Sequence, residues 1–223
     1  MKNTILKHIV SIVIFTIAFT FLNSCSDNDE IENNDIVKED INNDTPNDTT
    51  NEILTAADKA ALLFMLEEEK LARDTYIYLN DLWAINQFAN ITKSEQTHMD
   101  AIANLLTQNE IAYTVLPEGE FKNEDLQNLY NQFVIDGKVD KVSAFKIGAT
   151  IEDLDIVDLQ DLMDTIKNTD IISVFKSLQC GSRNHLRSFI KGLENIGGTY
   201  SPKFLTQAEY NAILSGSSEK CNQ

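Results

Sequence analysis

The chain has 223 residues, 18 basic against 35 acidic side chains, and a formal net charge of −17. Such an excess of acids excludes the basic footprint that a nucleic-acid-binding surface needs. With 43% hydrophobic residues there is material for a buried core, and the charge must be placed around it.

The first element is an address. Lys2 and Lys7 precede an apolar run from Ile9 to Leu22 that only Ser11, Thr16 and Thr20 interrupt. A run of about 14 residues is too short to span a bilayer comfortably, so it reads as a secretory signal. It ends in Leu22-Asn23-Ser24-Cys25, which resembles a bacterial lipobox. Residues 1–24 would then be removed, and Cys25 would be lipidated and become the new N-terminus. The alternative is an uncleaved N-terminal anchor with an incidental cysteine. Both readings place the rest of the chain outside the cytoplasm, in the cell envelope, held to a membrane at the periplasmic or the outer face. Acyl chains on Cys25 would bury enough CH₂ groups to hold the protein there without a spanning helix.

Residues 25–53 read as a tether. Between Ser26 and Glu52 stand ten acids and one base, Lys38, so this stretch holds −9 of the formal charge. It is too poor in apolar residues to offset its own ordering entropy and is expected to stay disordered.

Residues 54–215 are expected to form one helical domain, followed by a tail over 216–223. Glycine and proline are sparse, and the apolar residues recur at helical spacing with no alternating strand pattern. A first helix starts at Thr55, with Asp58 as its capping partner, and runs to about Trp83. A second spans Thr92 to about Glu110. A loop containing Pro117 and Gly119 leads into a short helix from Glu124 to Asp136, stopped by Gly137. A third long helix covers Lys141 to Lys167, and a fourth Ile171 to Ile196, ended by Gly197-Gly198. A last short helix within Pro202 to Leu214 is expected to lie over the bundle. Four long helices with one longer connection, holding a short helix between the second and third, suit an all-α, ferritin-like four-helix bundle.

The expected inward faces carry unusual residues. On the first helix Glu69 sits at the edge of the stripe Leu62, Met65, Ala72, Tyr76 and Leu79, with Glu68 flanking its other side. Helix phase alone slightly prefers Glu68. On the second, Glu95 and His98 share a face with Ile91, Ile102 and Leu105. On the third, Glu152 and Asp155 line up with Gly148, Leu159 and Leu162. On the fourth, Ser182 and His185 fall between Leu178 and Phe189.

Each of these residues also has an ordinary reading. Glu95 could close a capping box opened by Thr92, and Glu69 could pair with Arg73 one turn on. The run Glu152, Asp153, Asp155, Asp158, Asp161 and Asp164 reads mostly as a solvated helix face. His185 could be a hydrogen-bonded core residue. Together, however, they put acids or histidines on inward faces of all four helices, and burying that many carboxylates without a cation is costly. A metal site is therefore expected.

Glu69-Lys70-Leu71-Ala72-Arg73-Asp74-Thr75-Tyr76 resembles the first helix of rubrerythrin-type ferritin-like proteins, and this resemblance selects Glu69 over Glu68. The chain from about Ala60 to Leu214 resembles the ferritin-like domain-of-unknown-function family 2202. The resemblance is carried by Glu67 to Ala72, Ser94 to Met99, Gly148 to Leu159 and Gly181 to Phe189. It implies the fold and brings no established reaction. A standard di-iron site takes one glutamate from each of two helices and a Glu-x-x-His from each of the other two. Glu69, Glu95 with His98, and Glu152 match three of these. The fourth helix reads Ser182-x-x-His185, so one carboxylate is missing, and Asp155 is a candidate to replace it.

The expected metal ligands are thus Glu69, Glu95, His98, Glu152, Asp155 and His185, holding one or two iron or manganese ions, metals suited to oxygen and imidazole ligands. Two functions follow. In one the protein is a metal-dependent oxidoreductase acting on dioxygen or peroxide, with Tyr76 as a redox neighbour. In the other it is a non-enzymatic exported scaffold or binding module with no metal or one structural metal. Expected partners are the membrane through the lipid anchor and a redox or protein partner, with a homodimer compatible with either function. Cys180 and Cys221 either pair, as an oxidising compartment allows, or remain free buried thiols. Arg183 and Arg187 are expected to meet solvent-side acids rather than the inward carboxylates.

Overall fold

The computed structural model describes residues 54–221; the signal segment, Cys25 and the whole tether lie outside the described residues. The described residues form six helices and no strand: α1 (Ala56–Trp83), α2 (Asn86–Gln108), α3 (Glu124–Gly137), α4 (Lys141–Thr165), α5 (Thr169–Asn195) and α6 (Gln207–Ser215). None of these is long and apolar enough to cross a membrane.

Local chemistry sets most of the helix starts. Thr55 and Asp58 form a reciprocal capping box at α1, and Thr206 and Glu209 another at α6. Asn123, Asp140 and Asn168 accept backbone N–H bonds at the starts of α3, α4 and α5. Each satisfies donors that a bare helix end leaves orphaned.

The exception is α2. It begins at Asn86, six residues before the expected Thr92, behind Ile85, which offers no side-chain cap. Ala84 takes a left-handed conformation (φ 50°) and turns the chain within two residues, so α2 starts immediately. Thr92 lies inside the helix, where its hydroxyl donates to the Phe88 carbonyl at 2.8 Å. The capping role considered for Glu95 is therefore excluded.

The four long helices close a ring. α1 packs along α2 and α4, and α5 packs along α4 and α2. Short turns make α1/α2 and α4/α5 antiparallel. Contacts of Tyr76 with Glu152 and of His185 with Glu95 join the two hairpins. With α1 antiparallel to α4, the helices α2 and α4 run parallel, so segment 109–140 must travel from one end of the bundle to the other. α3 lies in that segment and packs on α1 and α4.

The crossover is fastened by buried charge. Lys70 on α1 donates to the carbonyls of Pro117 (2.8 Å) and Glu120 (3.1 Å) and pairs with Asp74. Asp74 also accepts the Gly119 amide at 2.9 Å. Arg73 reaches Asp74 and Gln96, so the considered Glu69–Arg73 pair does not form.

The apolar core is split in two. One part gathers Tyr76, Leu79, Phe88, Phe145, Phe189 and Leu193; the other gathers Leu62, Met65, Ile102, Leu106, Phe175 and Leu178. Between these two groups each of the four long helices contributes acids, histidines or a serine to a polar layer. That layer is where the chemistry sits.

Candidate metal centre

The layer is built from one turn of each long helix. α1 brings Glu69, α2 brings Glu95 and His98, α4 brings Glu152 and Asp155, and α5 brings Ser182 and His185. All are buried except His185, whose side chain is 12% exposed. The i, i+3 spacing of Glu95 and His98 sets both side chains on one face of α2.

Glu95 stands at the middle. Its Oε2 is 2.8 Å from His98 Nδ1, and its Oε1 is 2.9 Å from His185 Nδ1. His98 Nδ1 is also 3.1 Å from Glu69 Oε2, and His185 Nδ1 is 3.5 Å from Glu152 Oε2. The two imidazole rings stack 5.6 Å apart. Tyr76 closes the far side, its hydroxyl donating to Glu152 Oε1 at 2.5 Å.

These approaches are close but are not all hydrogen bonds. Glu95 Oε1 and His185 Nδ1 lie within 2.9 Å, yet neither has a hydrogen-bond partner. Glu69 Oε1 and Asp155 Oδ1 are likewise buried and unpaired. Nitrogen and oxygen lone pairs that converge without hydrogen-bond alignment are the arrangement that a shared cation requires. Two three-residue groups bring their ligand atoms within 4.8 Å of one another: Glu69, Glu95 and His98, and Glu95, Glu152 and His185. Glu95 belongs to both and can offer one oxygen to each of two ions.

Five of the six expected ligands therefore converge. Asp155 does not join either group: one of its oxygens accepts from the Ser182 hydroxyl. Ser182 thus holds the very residue considered as its replacement, and it also lies 2.9 Å from the Leu178 carbonyl.

The acidic run on α4 departs from expectation. Glu152, Asp153, Asp155 and Asp158 are buried, and of the six only Asp164 is fully exposed, with Asp161 partly so. Asp153 faces away from the layer and accepts the amides of Phe204 (3.2 Å), Leu205 (2.7 Å) and Lys203, with the Tyr200 hydroxyl at 2.7 Å. It fastens segment 200–205 to the bundle. The other three point between the helices.

Electrostatics describe a site short of positive charge. Burial pushes the Glu69 carboxyl up to about 8, with His98 opposing and Glu95 adding to the rise. Burial opposes charge on Glu95 too, but His185 and His98 outweigh it and hold this carboxyl well below its usual range. Burial pulls His185 down, while Glu95 and Glu152 outweigh that and set it at about 10. Burial, then Glu69, pushes the Asp155 carboxyl well up, and burial with Glu152 does the same to the Tyr76 phenol. Without a cation the layer must take up protons to be stable. A divalent ion supplies the same neutralisation and engages the converging lone pairs.

Cys180 and Cys221 are joined in a disulfide. Cys180 lies in the middle of α5, next to Gly181. Arg183 and Arg187 bind Glu219 in the same tail, at 2.9 and 2.8 Å, and leave the inward carboxylates alone.

Residues 58–217 match the family model described as an uncharacterized protein domain, DUF2202. The chain belongs to this family. It is 43% identical over 169 residues to the uncharacterized protein MJ0754 of Methanocaldococcus jannaschii, covering 75% of this chain and 91% of that one. The crystal structure of MJ0754 superposes with a TM-score of 0.73 over 74% of this chain and 96% of that one. The family thus extends over the whole helical bundle and includes every residue of the polar layer.

Sequence reasoning missed two acids of the layer. Glu68 is as buried as Glu69, and Asp158 is as buried as Glu152. The signal for Glu68 was its helix phase; the signal for Asp158 was its place one turn beyond Asp155.

Proposed function

We propose that this domain is a ferritin-like dinuclear metal protein that holds two iron or manganese ions and uses them in redox chemistry with dioxygen or peroxide. The observation that carries the proposal is the gathering of three carboxylates and two imidazoles into two groups that share Glu95, the ligand atoms of each group lying within 4.8 Å of one another. The parallel α2 and α4 joined by a full-length crossover, with Glu95-x-x-His98 facing inward, support the ferritin-like assignment. Oxygen and imidazole donors suit iron and manganese.

Glu69 and His98 would hold one ion, Glu152 and His185 the other, and Glu95 would bridge them. When bound, such a pair would supply electrons to a small oxidant such as dioxygen or peroxide. The residues around it keep bulk water out and fix ligand orientation. Tyr76 anchors Glu152 by donating its phenolic hydrogen and can return a proton at that oxygen. The partly exposed edge at His185 is the side from which a small oxidant reaches the layer.

The lipobox-like Leu22 to Cys25 supports an exported, lipid-anchored setting, in the cell envelope and tethered by residues 25–53. A second reading, a non-enzymatic scaffold with at most one structural ion, is favoured by one observation. Ser182 stands where a second bridging carboxylate is expected, and it engages Asp155 instead.

Metal content decides between them. The full chain, purified without chelator and reloaded anaerobically with ferrous iron, should hold about two ions at the triads, as carboxylate/histidine layers of this kind do. Glu95→Ala should remove both, because it deletes the shared ligand. A chain that still holds two ions at the triads in Glu95→Ala contradicts the assignment, and a single ion in the unaltered chain favours the scaffold.

A further inference from the structure

Nine acids are buried among the described residues. Asp58, Asp74 and Asp153 answer to caps, bases or backbone amides already described. The remaining six occupy the polar layer. Glu69, Glu95 and Glu152 serve the two donor groups, and Asp155 serves Ser182. Glu68 and Asp158 belong to none of these.

All four carboxylate oxygens of Glu68 and Asp158 are buried and without a hydrogen-bond partner. The side chains are 2% and 3% exposed. Glu68 on α1 faces Asp158 on α4, its strongest charged neighbour, with Asp155 next. Two carboxylates have no hydrogen to share. Only a proton or a cation can join them, since an unpaired buried charge is strongly destabilising.

We propose that Glu68 and Asp158 form a further divalent-cation site, beside the dinuclear centre and on the path by which ions reach it. Among the described residues no third aspartate, glutamate, histidine or cysteine forms a group with Glu68 and Asp158, so the direct protein ligands are these two carboxylates, and water completes the shell. Magnesium and manganese are commonly held in this way, by one or two carboxylates with retained water. Charge points the same way. With neutral imidazoles, two divalent ions at the centre leave two of the six negative charges uncompensated, and a third ion removes them.

The path is written along α4. Asp155, Asp158, Asp161 and Asp164 follow at three-residue intervals, and exposure rises from the buried first pair through Asp161 to the open Asp164. Successive carboxylates of rising exposure form an electrostatic funnel that gathers cations from solvent. The role on an entry path rests on the dinuclear reading, whereas binding of a cation by Glu68 and Asp158 does not.

Manganese counting tests both parts. The full chain is dialysed against manganese(II) and its bound ions are counted, together with Glu68→Gln/Asp158→Asn and Glu95→Gln. Amides replace unpartnered carboxylates at equal volume, and the single variant Asp158→Asn serves if the double variant does not fold. The expected result is three ions in the unaltered chain, two in the double variant and one in Glu95→Gln. Two ions in both the unaltered chain and the double variant overturn this site and leave the dinuclear centre standing. One ion, lost only in the double variant, supports this site and overturns the dinuclear reading. No bound ion overturns both. On the entry path, filling of the centre in the double variant should slow by at least about tenfold, the lower end of what charge focusing contributes to capture. An unchanged filling rate removes the entry role.

Discussion

Gly181 decides whether His98 can take its place in the layer. A Cβ on residue 181 would lie 2.8 Å from His98 Nε2 and 2.9 Å from its Cε1. Neither atom is the end of a flexible chain, because the buried ring is held on its other side by Glu69 and Glu95. Replacing a helical glycine by alanine ordinarily gains about 0.5–1 kcal/mol. Here the overlap costs about 1–3 kcal/mol, as overpacking in a close-packed interior does. The clash wins. Gly181→Ala should therefore lower the thermal midpoint of the metal-free protein. It should also weaken the ion held by Glu69, Glu95 and His98, while the group containing His185 keeps its own. Calorimetry and metal counting on the same preparation check this. A variant that is more stable and binds metal normally would show that His98 has room to move.

The two sides of α5 do different work. The inward side presents Ser182 and His185 to the layer, while Cys180, Arg183 and Arg187 hold the C-terminal tail. The disulfide spans 41 positions of sequence. Closing a loop of that size lowers the entropy of the unfolded chain by an amount worth about 3–4 kcal/mol. Cys180→Ser/Cys221→Ser should thus lower the thermal midpoint by roughly 10 °C for a domain of this length. Metal stoichiometry should be unchanged, since α2 and α4 hold the inward side. Thermal melts and metal counting of the double variant read the two effects separately. Loss of the metal as well would mean that the tail positions His185.

The same helices mark where sequence reading succeeds. Starts with a capping side chain, such as Thr55 with Asp58, are legible because the cap is a local event. The start of α2 is not, because a tight turn through Ala84 and Ile85 replaces the cap and leaves Thr92 as a decoy. Glu95 and His98 are legible from spacing. The burial of Asp153 is not, because its partners are amides some 50 positions away, which no helical period announces. Asp158 looked solvated for a similar reason: only the packing of α1 on α4 shows that Glu68 faces it.

Across the whole molecule, charge and stability are linked through the layer. The segment Ser26 to Glu52 carries −9, and Lys2 and Lys7 add two positive charges, so the remainder of the chain carries −10 of the total −17. Six of its acids are buried together in the layer. In the metal-free protein, burial pushes Glu69 from an ordinary 4.5 to about 8 and Asp158 from 3.8 to about 7. The folded state then binds more protons than the unfolded chain across that window, so stability falls as pH rises through it. His185 has the same sign. Its charge, kept to about 10 by Glu95 and Glu152 against burial, contributes stability that is fully present below 6.5 and lost as pH rises toward 10. Glu95 runs the other way, but its lowered carboxyl acts only below about 4.5. The metal-free protein should therefore melt at a lower temperature at pH 8 than at pH 5.5. Divalent ions reverse this, because they compete with the same protons for the same oxygens and nitrogens. The stabilisation by manganese should be small at pH 5.5 and grow steadily to pH 8. Thermal midpoints measured with chelator and with manganese across this range test the linkage. A metal-free protein that gains stability with rising pH would mean that the buried carboxylates are already neutralised by something other than protons.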